Sequence, residues 1–592
     1  MRIFTGFSIV CAAALCSACI SVDDRLGQDF IPAAHKWQVV SVSFDLKDIE
    51  SAAAEELGGY SSRRMCVGGI SGDGVSWNGN GAAFALIPLV DTAKLDFGDV
   101  QKIHGFHFAA ATDTVSFRDG DQADIIQNIR VRELSKPLGI DVLYAGKGNE
   151  GLYDPDGPVV TRGIPTFSGE DSLSFDFTEA FARKYIDAIA SMDSWSMEEY
   201  CKKLPGICIT ADRPLAGSGR INMFETAVST NDYGYLTGNY AELKLRSVFD
   251  KERGPVDTSF VFLAGAASFI GESTSSLPTQ YSFNICSRSG SAPVPSDEIV
   301  IEGGCGYKPV VRAGGLKSSL EKAIVESIAR NYRKQPGFED REDAELEDLA
   351  EAVLASGNVV INKATINLPY KASPDYSELS AYPRILSPTC RLTGTRTVIS
   401  GGVETEQEIV SYAGLTDASV SSENQGNINM SLDCYHPDVS HHIQELLMLS
   451  KEEDESAEDY AARLAKYDIW LLIMHEETNK AASSSSSSSS YNDYLNALAY
   501  SSYYNSLYGG YGGYGGYGYG GYGYGSYGYG SYYNNYYNYM MMAAYASQSS
   551  TTQTSTTTEL DKDRYYSCRL YGPDSTEKKP TVTVTYSFPA AE

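Results

Sequence analysis

Apolar and polar residues alternate along much of this chain, and the period of two predicts a protein built mainly of β-strands. The alternation starts at Trp37-Gln38-Val39-Val40-Ser41-Val42-Ser43-Phe44. Further strands are expected at residues 82–90, 104–109, 129–134, 172–177, 207–210, 220–224, 241–245 and 259–263. Turn-forming clusters such as Ser71-Gly72-Asp73-Gly74 and Arg118-Asp119-Gly120-Asp121 separate them. One stretch, 178–203, changes period: Phe181, Tyr185, Ile189 and Met192 recur at three and four residues, a helical stripe that packs on a sheet. Pro205-Gly206 ends it.

The second half repeats the plan. Helices are expected at 316–332 and 344–354, the latter with an acidic face from Glu345, Glu347, Asp348 and Glu351. Strands follow at 359–368, 384–392, 408–412, 427–432 and 469–474, and the cleanest alternation in the chain closes it at 581–588. The apolar partners of that last strand must lie far upstream. Many short strands separated by turns predict two β-sandwich, jelly-roll-like domains with a few inserted helices. The expected boundaries are residues 37–300 for the first domain and 301–592 for the second.

Between 474 and 581 the pattern breaks. Ser483 to Ser490 is an unbroken serine run, residues 503–545 are dominated by Tyr and Gly, and 547–558 is a Ser/Thr/Gln tract. Such sequence has too few aliphatic residues and too much backbone entropy to form a core. It reads as a low-complexity insertion at about 480–560 inside the second domain, either a long disordered loop or an adhesive, self-associating element.

The N-terminus carries a different signal. Arg2, an apolar run over residues 3–15, and Ser17-Ala18 before Cys19 form a secretory signal of 18 residues with a lipoprotein-type cleavage site. Cys19 is then the lipidated first residue and 19–36 its tether. Cys16 stands where such sites usually carry Leu, and an ordinary signal peptide is the alternative. The apolar run is shorter than the roughly 20 residues a membrane span requires.

Composition narrows the choices. The net charge of -29 repels phosphate backbones and argues against nucleic acid as a partner. Beyond the signal, eight cysteines occur without a CxxC, so neither a zinc ribbon nor a dense disulfide framework is indicated. Cys201 with Cys208, and Cys286 with Cys305, are the candidate disulfide pairs; buried free thiols are the alternative.

Catalytic signatures are missing. There is no GxSxG elbow, P-loop or dinucleotide fingerprint, and His475-Glu476-Glu477 lacks a second His at the HExxH position. His436, Asp438, His441 and His442 are metal-ligand types lying close together. Asp438-Val439-Ser440 before Ile443 and Leu446-Leu447 reads better as the capped start of a short helix. Asp154-Pro155-Asp156-Gly157 and Asp119-Gly120-Asp121 lack the spacing of a calcium loop and read as β-turns. Trp37 and Trp470 sit in strand patterns and are expected in the core. No metal, cofactor or catalytic residue is assigned.

Several segments together resemble a large Bacteroidota family of exported lipoproteins of unknown function. They are Leu26-Gly27-Gln28-Asp29-Phe30-Ile31-Pro32, Leu57-Gly58-Gly59-Tyr60, and Met197-Glu198-Glu199-Tyr200 running into Leu204-Pro205-Gly206-Ile207. Residues 82–90 with Asp91-Thr92-Ala93-Lys94-Leu95, Ile361-Asn362-Lys363-Ala364-Thr365-Ile366, Tyr382-Pro383-Arg384-Ile385-Leu386 and Lys579-Pro580 belong to the same set. The Ser/Tyr/Gly insertion lies outside the pattern. The resemblance implies β-rich, carbohydrate-module-like or growth-factor-propeptide-like sandwich domains and an outer-membrane anchor. Asp23 and Asp24 just after the lipidated cysteine imply display on the cell exterior. It transfers no activity and no site. The expectation is a non-enzymatic binding or scaffold subunit beside an outer-membrane protein. The alternatives are an adhesin or glycan-binding protein and, further off, a polysaccharide hydrolase with paired carboxylates.

Overall fold

The computed structural model describes most of residues 37–591. It leaves out 1–36 and, within the chain, 89–94, 113–116, 119–124, 139–150, 193–196, 214–218, 231–235, 265–281, 372–381, 481–553, 562–565 and a few shorter stretches. The expected signal, Cys19, the expected tether and the bulk of the low-complexity insertion therefore lie outside the described residues. Within them the protein is mainly β, and every strand pair runs antiparallel.

The first body is a sandwich. A nine-stranded sheet built around Arg64–Gly72, Ser76–Phe84, Ile207–Ala211 and Gly219–Glu225 faces a five-stranded sheet centred on Asp99–Ala111 and Tyr240–Val248. Phe84, Val131, Ile207 and Ile209 from one sheet meet Phe106, Phe108, Leu243 and Phe262 from the other. Helix α1 (Glu179–Ala190) adds Phe181, Tyr185 and Ile189 to this core, the stripe its spacing predicts. Thr178 caps it by accepting from the Phe181 N–H. A second helix, α2 (Met197–Lys203), follows, so the one helix expected over 178–203 is two.

The second body has one core shared by two sheets and helices α3 (Ala313–Tyr332), α4 (Asp343–Ala355) and α6 (Ser440–Met448). Two short helices, α5 (Thr416–Val420) and α7 (Ala457–Ala465), are the others among the described residues of this body. In its five-stranded sheet the first described strand, Trp37–Asp45, pairs along its whole length with the last, Thr581–Pro589. The last strand also pairs with Val360–Pro369. Helix α3 lies on the inner face, where Leu316, Leu320 and Ile324 share a core with Val582, Val584 and Tyr586. The six-stranded sheet contains Ile49–Ala53, Tyr307–Val311, Ile385–Ser400, Val403–Gly414 and Ile469–Lys480.

The first two strands, which the sequence reading placed with residues 37–300, thus build the second body. The first body is strung between Gly59–Tyr60 and Ser282–Ser289, two strands that pair with each other. Strand Thr554–Leu560 returns from the insertion to pair with Met474 through Lys480, so Lys480 and Thr554 lie opposite one another.

Trp37 departs from expectation. It shares strand parity with Ser41 and Ser43 and is 48% exposed, because the inner face takes Val40, Val42 and Phe44 instead. Trp470 is buried as expected, against Ala54 and Val310.

Candidate functional site

Three pieces of the second body converge on a polar cleft of about 520 Å³. Strand Val360–Pro369 contributes Lys363 and Thr365. The segment after a 3-10 turn at Ser422–Gln425 contributes Asn427, Ile428, Asn429 and Met430, with Asn424 from the turn itself. The third wall is His436 and Asp438, between the short strand Cys434–Tyr435 and helix α6.

Backbone bonds hold the walls in place. Ile428 pairs with Tyr435, Tyr435 with Leu368, and Thr365 bridges Asp438. The Asp438 N–H donates to the Asn424 carbonyl at 3.1 Å, and the Ile366 N–H donates to that of Pro437 at 3.1 Å. Gly426 presses the middle segment onto strand Ile385–Ser400: it sits at φ +85°, and a Cβ there would lie 2.1 Å from the Leu386 carbonyl oxygen. Only glycine meets both demands.

The polar groups are oriented before any ligand arrives. Asn367 donates through Nδ2 to the Thr581 and Thr583 hydroxyls, each at 3.2 Å, which turns its Oδ1 toward His436. The His436 Nδ1 lies 2.8 Å from that oxygen and must be the donor, leaving Nε2 as an acceptor. Burial, and then the Lys363 ammonium, hold the His436 pKa below its ordinary 6.5, with Asp438 opposing them. The ring is neutral at neutral pH. The Asp438 carboxylate accepts from the Ser440 N–H at 3.0 Å and from its hydroxyl, which fixes it at the start of α6.

Three amides, a hydroxyl, a neutral imidazole, one cation and one carboxylate line the cleft, interleaved with Ile428 and Met430. This chemistry suits a neutral ligand rich in hydroxyls, and the volume lies in the range of small-molecule sites. Asp438 is the only acid among the described lining residues, so these residues do not assemble the carboxylate pair of glycoside hydrolysis.

The histidine cluster disperses in three dimensions. His436 faces Asn367. The His441 ring lies 3.8 Å from Glu445. His442 is buried with Nε2 at 2.9 Å from the Tyr467 carbonyl, and burial pushes its pKa down to about 4. Among the described residues no group of three His, Cys, Asp or Glu is placed to hold a metal ion. The expected helix start at Asp438–Ser440 is present as α6, yet its next two N–H groups go to Asp417 of α5, at 2.8 and 3.2 Å. No local signal pointed to Asp417, which lies 24 residues from His441. Asp154–Gly157 is an ordinary turn closed by its own backbone N–H groups, and Asp121 lies outside the described residues.

The structure separates one of the two candidate cysteine pairs and brings the other together. Cys201 belongs to the inter-sheet core of the first body, and Cys208 to a cluster on the opposite face of the nine-stranded sheet with Ala83 and Phe283. Cys286 and Cys305 are buried thiols whose sulfurs lie 2.7 Å apart.

Among the described residues no helix is long and apolar enough to cross a membrane. Comparison with family models, with curated proteins and with solved structures found no match.

Proposed function

We propose that this chain is an exported, non-enzymatic binding protein. It is held at the outer membrane by lipid on Cys19, faces the cell exterior, and takes a glycan or similarly hydroxyl-rich ligand in the cleft between Lys363, Asn427 and His436. The observation that carries the reading is the lining itself: preoriented neutral donors and acceptors beside Ile428 and Met430, with a single carboxylate. Such a set exchanges water for ligand hydroxyls, with the Lys363 ammonium and the Asp438 carboxylate as its two charged contacts. The anchor and its orientation rest on Ser17-Ala18-Cys19 with Asp23 and Asp24, and on the resemblance to Bacteroidota lipoproteins.

The test is calorimetric titration of the exported chain with a panel of soluble oligo- and polysaccharides, alongside an assay for released reducing ends. Binding without turnover is expected, weakened roughly tenfold or more in His436→Ala and in Lys363→Ala, as loss of one or two polar contacts implies. Binding that both variants retain in full would remove the cleft from the account. Turnover would restore the hydrolase alternative.

A second reading, a scaffold subunit for an outer-membrane protein, is favoured by the edge of the first strand. Trp37–Asp45 has no further strand partner among the described residues. Val39 is 65% exposed, and Val360 lies in line with it across Ser587. An open edge beside exposed apolar side chains can receive a partner's strand. Gentle detergent extraction should then recover a β-barrel partner in stoichiometric amount that Val39→Lys fails to hold. Recovery of the protein alone would end the scaffold reading.

A further inference from the structure

Among the described residues the chain crosses between the two bodies at one place. It enters the first body at Gly59–Tyr60, which pairs with Asn284 and Ile285 of strand Ser282–Ser289. It leaves along that same strand, which also pairs with Ser76–Phe84, and then forms Glu298–Glu302 and Tyr307–Val311 of the second body. The turn joining these last two strands is Gly303-Gly304-Cys305-Gly306, and it folds back onto Cys286.

This contact is closely built. Cys286 and Cys305 are 4% and 2% exposed, and their sulfurs are 2.7 Å apart. The Cys305 N–H donates to the Cys286 sulfur at 3.2 Å. The Cys286 sulfur also lies 3.2 Å from Asn78 Oδ1, so the pair is held from the nine-stranded sheet as well. Gly304, at φ +54°, has no room for a side chain: a Cβ would stand 2.8 Å from the Cys286 sulfur. Lys308, 2% exposed, pins the turn by donating to the carbonyls of Glu302, Gly304 and Gly306. Arg288, two residues beyond Cys286, stacks over the Tyr307 ring at 3.6 Å.

We propose that Cys286 and Cys305 form a disulfide that clasps the two bodies where the chain passes between them. The compartment in which it forms rests on the export reading; the pairing itself does not. Cys286 is taken as the attacking sulfur, since the Cys305 N–H and the Lys308 ammonium approach it as the turn closes. Its thiolate attacks the disulfide of an exported oxidant of the dithiol–disulfide class, or of oxidised glutathione in the test tube, expelling one donor thiolate. The Cys305 thiolate then attacks the Cys286 sulfur of the mixed disulfide and expels the second. Two cysteine sulfurs lose two electrons, the donor disulfide gains them, and the two thiol protons pass to the departing thiolates. The exchange belongs to folding, before the pair is covered.

The exported chain, unfolded and reduced, should be refolded in a glutathione redox buffer, capped with an alkylating reagent and digested with trypsin. Peptides 254–288 and 289–312 should be recovered linked, with Cys201 and Cys208 capped singly. Recovery of Cys286 and Cys305 capped, or linked elsewhere, would overturn the clasp. The melting temperature of the oxidised protein should fall by roughly 5 °C on reduction. The double variant Cys286→Ala with Cys305→Ala should show no response to reductant. An indifferent wild type would also overturn the clasp. The same peptides from protein extracted from its own cell separate the two readings: linked there, they support clasp and export together. Linked only after refolding, they leave the pairing standing and tell against export.

Discussion

His442 donates through Nε2 to the Tyr467 carbonyl in a fully buried setting, and its pKa is pushed down to about 4. Unfolded, the ring titrates near 6.5. The folded state therefore favours the neutral form, and this contribution is present above pH 6.5 and lost as pH falls toward 4. The loss amounts to about 3 kcal/mol. Asp417, whose pKa burial raises, works in the opposite sense, but it is common to wild type and variant. Urea unfolding at pH 7 and pH 4 should show His442→Gln losing about 3 kcal/mol less than wild type across the interval. Equal losses would show that the ring is not held neutral. At this scale the sequence was partly readable. Parity along the first strand already places Trp37 with Ser41 and Ser43, on the face away from the core. The Asp417 cap was not readable, because a carboxylate reaching helix N–H groups from another helix leaves no mark beside the helix it serves.

Among the elements, those with a strong period were legible from their residues. Helices α3 and α4 fall within a few residues of the expected 316–332 and 344–354. The closing strand follows its alternation. Strand Arg64–Gly72 is not among the expected strands: its end, Ser71-Gly72, reads as the start of a turn, and Gly68 and Gly69 interrupt its alternation. There the glycines make room: a Cβ on Gly69 would lie 2.3 Å from the Trp77 ring, and one on Gly68 would lie 2.2 Å from the Arg220 carbonyl oxygen. The cleft was hidden for a related reason. Residues 427–432 read as a strand, yet only Ile428–Asn429 is one, and Gly426 sets where the segment bends. Gly426→Ala should cost at least about 2 kcal/mol in urea unfolding and weaken ligand binding at the cleft. Gly254→Ala is the control: φ is +77° there, and no atom lies within 4 Å of a Cβ. It should cost about 1 kcal/mol and leave binding alone. Equal costs would mean that backbone strain, not the Leu386 contact, sets the penalty.

For the whole molecule, the antiparallel, mainly β architecture was legible and the threading was not, because local patterns carry no record of which distant strand completes a sheet. Lys480 and Thr554 face each other across a strand pair, so removing 481–553 leaves two ends already side by side. A short Gly/Ser link in its place should keep the second body folded, with stability unchanged or raised by up to about 2 kcal/mol through the smaller loop. A fall in the urea midpoint would show that the insertion contributes to the body. The pairing of Trp37–Asp45 with Thr581–Pro589 has a consequence in time. Synthesis delivers the N-terminal strand first and its partner some 540 residues later. At roughly 5–20 residues per second that is a wait of about half a minute to two minutes. The first body, complete by residue 289, needs no later strand, and the six-stranded sheet of the second is complete by residue 560, but its five-stranded sheet cannot close until the final strand arrives. Closure of that sheet is a post-synthetic event, set by the end of the chain and not by its beginning.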